Sequence, residues 1–342
     1  MSRPRFVLPL LAGLATPLAA QEASTAAWTL ASGDFTVYGR TIYTPALVLV
    51  PRVVFDTSRR LDSARVVDSV RLAAVAPSAG LAAGFSGWPV DEYCGGVTTA
   101  AMQAIEPRRV LAQVQLAARC GVRLVLVPSR RLLTADGQPS GRFSPDSARR
   151  LTERYAAALP ADTLRKYRTT LLGMNLADDY GCLGCWGGAA ITQAQIADWA
   201  AYARSRLPGL PLGVRVTPDW VAAHPPLAPL LDYAWAQYHT RKGEAQAYFD
   251  NAAAVAARLG LAMVMGVNVE DCYGVGTSPC TAADLARLGT LAVSHPASCA
   301  FLNWRYAEPT WVREEIRAVW DGLLAAARGR GSRECRRAAG AA

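Results

Sequence analysis

The chain of 342 residues is short of several residue types, and each shortage removes a class of function. It has three histidines, His224, His239 and His295, with no HxH, HExxH or HxxE pairing, which argues against a histidine-built metal hydrolase. No GxGxxG or GxxxxGK[ST] turn is present to cradle a nucleotide phosphate. The stretch Gly84-Phe85-Ser86-Gly87 does not complete the GxSxG elbow of a serine hydrolase. Beyond the N-terminus no apolar run reaches the roughly 20 residues that span a bilayer. Lysine is nearly missing, since Lys166 and Lys242 are the only two. The net charge of +9 is therefore almost all arginine, scattered among alanines. It reads as compositional bias rather than as a nucleic-acid footprint.

What is present begins with Met1-Ser2-Arg3-Pro4-Arg5, the apolar run Phe6 to Leu18, and then Ala19-Ala20-Gln21. Charged start, apolar middle and small-residue end predict a secretory signal over 1–20, cleaved near Ala20. The mature protein is expected to be secreted or periplasmic, without stable membrane insertion. Eight cysteines in an exported chain predict disulfides. Cys272 and Cys280 flank a short Gly-rich loop and suit a local bridge. Cys182 and Cys185 fit a tight local bridge, a redox pair or half of a zinc site, and export favours the structural reading. Cys94, Cys182, Cys185, Cys272 and Cys280 all follow strands, so bridges among them are expected to brace the loops beyond the strand C-termini. Residues 327–342, rich in Arg, Gly and Ala, read as a solvated, disordered tail that can also touch an anionic surface.

Residues 21–80 read as a β-rich extension with short strands at 35–38, 46–50, 53–55 and 70–75. From 81 to 326 strands alternate with helices. Strands are predicted near 81–88, 122–127, 171–179, 212–217, 231–238, 261–270 and 299–306. Helices are signalled by Pro107, by Ser144-Pro145-Asp146, by the capping box Thr192-Gln193-Ala194-Gln195 inside the staple of Ile191 and Ile196, by Glu244, by Thr281 and by Thr310. The length and alternation predict an α/β fold, a (β/α)8 TIM barrel. Its remaining strand falls within 88–106, 129–143 or the extension.

Side-chain parity then selects candidates, because a strand alternates its faces with period two. In Leu171 to Tyr180, Leu172, Met174 and Leu176 share the apolar face, leaving Asn175 and Asp179 to point inward, with Asp178 beside them. In the strand ending at Glu270, Met263, Met265, Val267 and Val269 face helices, leaving Asn268 and Glu270 inward. Arg215 is inward on its strand, and Trp88 ends the first. The choice between Gln237 and Tyr238 stays open, as does that between Asn303 with Arg305 and Trp304 with Tyr306. Asp179, Glu270, Asn175, Asn268, Arg215 and several aromatics thus converge on the end where such barrels carry their chemistry. His239 follows a strand end and can line the same pocket.

These residues resemble the glycoside-hydrolase-like TIM barrels over roughly 81–326; if the last strand is the eighth, Asp179 ends the fourth and Glu270 the seventh. The resemblance implies Asp179 as acid/base and Glu270 as nucleophile or second carboxylate, with Trp304 matching a tryptophan often found on the last strand. It also implies substrate contacts at Trp88, Asn175, Asp178, Arg215, Gln237, Tyr238, Asn268, Trp304 and Tyr306. The chain departs from that group where it carries Asp178-Asp179 in place of Asn-Glu, one methylene shorter at the acid/base. The expected partner is an oligo- or polysaccharide, not nucleic acid, and the expected activity is two-carboxylate hydrolysis of a glycosidic bond. The alternative is a non-catalytic carbohydrate-binding barrel, in which Asp179 and Glu270 pair with Arg215, cap loops or bond the ligand. No cofactor and no metal are expected, although Asp178, Asp179 and Glu270 are oxygen ligands of the kind Mg²⁺ or Ca²⁺ favours. Sugar, linkage, stereochemical outcome and oligomeric state are not specified by these patterns.

Overall fold

A computed structural model of the chain describes residues 35–37, 40–42, 80–176 and 178–337. The expected signal peptide, most of the expected extension and residues 338–342 lie outside the described residues. The chain divides into two compact units, Met1–Leu72 and Ala73–Ala342. In the first, Phe35–Val37 (β1) pairs antiparallel with Arg40–Ile42 (β2).

The second unit is a closed parallel barrel. Its strands are Ala82–Ser86 (β3), Ala100–Ala104 (β4), Arg123–Val127 (β5), Leu171–Asn175 (β6), Leu212–Val214 (β7), Tyr233–Tyr238 (β8), Ala262–Val267 (β9) and Ser298–Asn303 (β10). They follow one another around the barrel in sequence order, and β10 closes onto β3 with Ala300 opposite Ala82 and Leu302 opposite Gly84. Asp179 therefore follows the fourth barrel strand and Glu270 the seventh. The strand left unassigned by pattern is β4, inside the 88–106 window. Its sequence, Ala-Ala-Met-Gln-Ala, has none of the β-branched or aromatic residues that mark a strand.

Helices cover the outside: Pro107–Arg119 (α1), Pro145–Ala158 (α2), Ala161–Lys166 (α3), Gln193–Arg206 (α4), Pro218–Ala222 (α5), Ala245–Leu259 (α6), Ala282–Ser294 (α7), Glu308–Trp311 (α8) and Glu314–Arg328 (α9). The caps read from sequence form. Ser144 accepts from Ser147 N, Thr281 from Asp284 N, and Thr192 with Gln195 completes its capping box. Glu244 caps α6 by accepting from Gln246 N and Ala247 N. Thr310 is the exception. The last long helix starts at Glu314, behind Arg313, and the Thr310 hydroxyl is spent on Glu270 instead.

Two apolar clusters result. The larger lies between barrel and helices, and the smaller fills the barrel with Ala82, Ala100, Met102, Val125, Leu172, Tyr233, Trp235, Val264, Ala300 and Leu302 among its members. Leu172 thus points inward, against the parity assigned to it. The pairing of β5 with β6 shifts register between Leu124 opposite Leu171 and Val125 opposite Gly173, and such an irregularity re-aims one side chain. The Tyr233 ring takes the middle of the barrel because Gly173 and Gly213 present no side chain there. A Cβ on Gly213 would lie 2.2 Å from the ring.

The strand-N-terminal end is closed by the C-terminal segment. After α9 the chain crosses beneath the barrel. Arg168 pairs with Glu334 at 2.9 Å, Arg336 donates to Gly209 O at 2.7 Å, and Arg337 donates to Ala228 O at 2.7 Å. Through residue 337 the arginine-rich segment read as a solvated tail is thus pinned to the barrel. Four disulfides join Cys94–Cys120, Cys182–Cys185, Cys272–Cys280 and Cys299–Cys335. The expected local bridge at 272–280 and the structural reading of 182–185 both hold. Bracing of the loops beyond the strand C-termini holds for these two. Cys94–Cys120 instead ties the 3-10 turn Val90–Gly95, which replaces a helix between β3 and β4, to the C-terminal end of α1. Cys299–Cys335 fastens the C-terminal segment to the start of β10.

Mass mapping of the non-reduced protein should return these four pairs and no free thiol. Replacing Cys299 and Cys335 together by alanine should cost about 2–4 kcal/mol, measured by urea unfolding, because the bridge closes a loop of 36 residues.

Candidate functional site

Arg215 is the centre of the site. It follows β7 directly and its side chain is only 9 % exposed. Its Nε donates to Asp178 Oδ1 at 2.6 Å, Nη2 reaches the same oxygen, and Nη2 also lies 3.3 Å from Asp179 Oδ1. The guanidinium stands 4.2 Å from the centroid of the Trp304 ring and 5.8 Å from that of Trp235. A cation withdrawn this far from water needs opposite charge and hydrogen bonds close by, and the two aspartates with the indole faces supply them.

The loop after β6 is folded to deliver those aspartates. Asp179 has φ +50°, a left-handed conformation that Asp tolerates better than most residues. Its amide donates to Asp178 Oδ1 at 2.8 Å, and its carbonyl accepts from Cys182 N and Trp186 Nε1, each at 2.9 Å. The Cys182–Cys185 bridge therefore lies within the turn that positions Asp179. From the loop after β5, Arg130 donates to Asp179 Oδ2 at 3.0 Å. Burial raises the Asp178 carboxyl above the ordinary carboxylate value, with Arg215 opposing the rise.

A cavity of about 440 Å³ opens over this network. Of the residues selected by sequence, Asp179, Arg215, Gln237, Asn268 and Trp304 line it. The Gln237 amide donates to Asn268 Oδ1, which joins the ends of β8 and β9. The first open choice is thereby resolved, and the second ends with one member of each pair, Trp304 and Arg305, on the wall. Gln237 faces the cavity, whereas Tyr238 turns outward, donates to Gly243 O at 2.6 Å and packs on Tyr248 and Phe249 of α6. Trp304 faces the barrel, while Asn303 is fully buried and bonds backbone, accepting from Val267 N and donating to Gly84 O.

The structure places the other candidates elsewhere. Asn175 lies buried in the barrel, accepting from the Tyr233 hydroxyl at 3.0 Å. Trp88 is 2 % exposed and packs between Tyr306 and Trp311, with ring centroids 4.9 and 5.0 Å away, in the cluster under α8 and α9. Tyr306 belongs to the same cluster. Glu270 is not on the cavity wall. Its Oε2 accepts from Thr310 at 3.1 Å, its Oε1 is buried without a partner, and burial raises its carboxyl above the usual range.

Four wall residues were not selected as site residues by pattern: His239, although placed near the pocket, and Asp271, Val275 and Arg305. Parity left Arg305 open on the last strand and does not reach the other three, because all lie past the last ladder residue of their strands. Asp271 Oδ1 accepts from Gly276 N at 3.0 Å inside the loop closed by Cys272–Cys280. Burial lowers the His239 imidazole below its ordinary value, with Lys242 and Arg241 adding to the effect and Asp271 opposing it. Among the described residues no three or more His, Cys, Asp or Glu side chains gather as metal ligands, and no helix is long and apolar enough to cross a membrane.

No protein-family model and no curated protein matches the chain. Solved structures do. An endoglucanase Cel5A from Pseudomonas stutzeri in complex with cellobiose is 11 % identical, with 75 % of this chain and 96 % of that one covered and a TM-score of 0.49. A GH18 chitinase from Pseudoalteromonas aurantia is 9 % identical over 72 % and 99 %, with a TM-score of 0.45. A D-psicose 3-epimerase with D-tagatose from Clostridium cellulolyticum is 11 % identical over 72 % and 99 %, with a TM-score of 0.41. The likeness is one of architecture alone, and the closed ring of eight parallel strands with its outer helices makes the chain a (β/α)8 barrel.

Proposed function

We propose that the cavity over Arg215 is a carbohydrate-binding cleft. The observation that carries this reading is the character of its wall. Two carboxylates, Asp179 and Asp271, face two guanidiniums, Arg215 and Arg305, beside two amides, an uncharged imidazole and an indole. Balanced charge gives a strongly ionic ligand little advantage. Converging donors and acceptors beside an indole suit a neutral polyol, which has hydroxyl edges and apolar ring faces. Asp179, fixed in place by Arg130 and Arg215 together, offers its carboxyl oxygens to ligand hydroxyls.

One observation favours the hydrolytic reading. Glu270 has a raised carboxyl and an oxygen without a partner, as a carboxylate reserved for chemistry can have. In that reading Asp179 is the acid/base and Glu270 the nucleophile or second carboxylate. It requires Glu270 to leave Thr310 and turn to the cleft when substrate binds.

A neutral-glycan array followed by calorimetry on the best binder tests the first reading, and reducing-sugar release on the same glycan tests the second. Trp304→Ala and Asn268→Ala should each weaken binding by about tenfold, the loss of a well-placed contact. Absence of binding to any neutral glycan would overturn the proposal. Glu270→Gln should leave affinity unchanged under the binding reading, with no sugar released by either form. Release by the parent that drops by orders of magnitude in Glu270→Gln would establish hydrolysis instead.

The pH dependence has a definite window. His239 is shifted downward, so it stays neutral at pH 7 and gains its proton only below the ordinary histidine value of about 6.5. Affinity should be flat above that value and change as pH falls further, and His239→Gln should remove the step.

A further inference from the structure

The opposite end of the barrel holds a second site. Arg123 opens β5 and shares its face with Val125, so its side chain enters the barrel from the strand-N-terminal end. It is 4 % exposed. Its Nη2 donates to Gly80 O and its Nη1 to Ser332 Oγ at 3.2 Å, while its buried Nε has no partner. Among the described residues no carboxylate pairs with it, and burial alone pushes its guanidinium down to about 10. Leaving a buried cation unpaired is costly. The space it faces is a cavity of about 240 Å³ between the barrel floor and the C-terminal segment. Arg168, Arg333 and Arg336 also line it, and among the described residues Glu334 is the one acid on its wall. Glu334 bonds Arg168 and Arg336 at the mouth, where Arg168 and Glu334 are about half exposed. Each guanidinium has five donors, so those two keep N–H groups to spare.

We propose that this floor cavity binds a small tetrahedral oxyanion, phosphate or sulfate, held by Arg123 from within and by Arg168, Arg333 and Arg336 from the rim. The planar guanidinium fork matches oxyanion geometry, and the anion supplies the charge that Arg123 lacks. The volume equals roughly eight waters of liquid, enough for a tetrahedral ion with part of its hydration and too little for an oligosaccharide. The site lies at the end of the barrel opposite the carbohydrate cleft, so its standing is independent of that reading. Because residues 332–336 form part of the wall, a bound anion also fastens the C-terminal segment beneath the barrel.

Isothermal titration of the full chain with sodium phosphate, and in a second arm with sodium sulfate, tests this against sodium chloride at matched ionic strength. Saturable one-site binding of at least one oxyanion and none of chloride is expected. Arg123→Gln should weaken it about tenfold or more, the loss of a charge-assisted bond. Arg333→Gln, on the more exposed rim, should weaken it less and serves if Arg123→Gln does not fold. Glu334→Gln should do the reverse and tighten binding roughly two- to fivefold, since it frees Arg168 and Arg336. That gain is not expected of a group that only anchors the tail. No saturable binding of either oxyanion up to about 10 mM, a floor near 3 kcal/mol of affinity, would overturn the proposal. So would unchanged affinity in both Arg333→Gln and Glu334→Gln.

Discussion

Closure of the parallel sheet is the constraint on which the rest depends. Once β10 pairs with β3, no strand edge remains and every backbone donor in the ladder has a neighbour. The interior must then be filled by side chains of alternate residues, and its ends must be finished by something other than sheet. At one end the finish is polar, with Arg215, Gln237 and Asn268 at or just beyond the last ladder residues of their strands. At the other it is the C-terminal segment, held by Cys299–Cys335 and a row of arginine-to-carbonyl bonds.

Both ends solve one electrostatic problem in different ways. Arg215 is nearly dry, yet it has two aspartates and two indole faces within reach. Its charge is balanced inside the protein, and the cleft above it presents a mixed polar wall. Arg123 is drier still and, among the described residues, meets only a carbonyl and a hydroxyl. A buried charge without its counter-charge stores a demand that an anion can meet, whereas a paired one leaves the pocket free to select by hydrogen bonding. The disulfides follow this division: Cys182–Cys185 and Cys272–Cys280 set the loops that carry Asp179 and Asp271, while Cys94–Cys120 and Cys299–Cys335 hold the far end.

Parity succeeded where a ladder enforces it. Val264, Gly266 and Asn268 do face inward and Met263, Met265 and Val267 outward, because β9 is paired to β8 without a break through Val267 and to β10 through Met265. It failed at Leu172, where the pairing of β5 with β6 slips by one residue. It also lost its hold beyond Asn268. Glu270 lies past the ladder, so its direction is set by Thr310 rather than by pleat, and Asp271 is the carboxylate that reaches the cleft. Trp88 and Tyr306 look from sequence like a sugar platform, but α8 and α9 cover them, and the ring of Trp311 completes their packing.

The order of apolar runs and caps was enough to determine a (β/α)8 barrel, to place Asp179 and Glu270 after its fourth and seventh strands, and to indicate a bridge at Cys272–Cys280. Those features are local: a capping box, a proline at a first turn or two cysteines across a short loop act within a few residues. Tertiary structure alone decided that β4 is the missing strand, since an alanine-rich segment becomes a strand only when neighbours on both sides offer it a ladder. It alone decided that Arg215 gathers Asp178 and Asp179 under Trp304, and that an arginine-rich tail folds back beneath Arg123. Such groupings join residues tens to hundreds of positions apart. Their energies come from charge and burial in three dimensions, which no local pattern records.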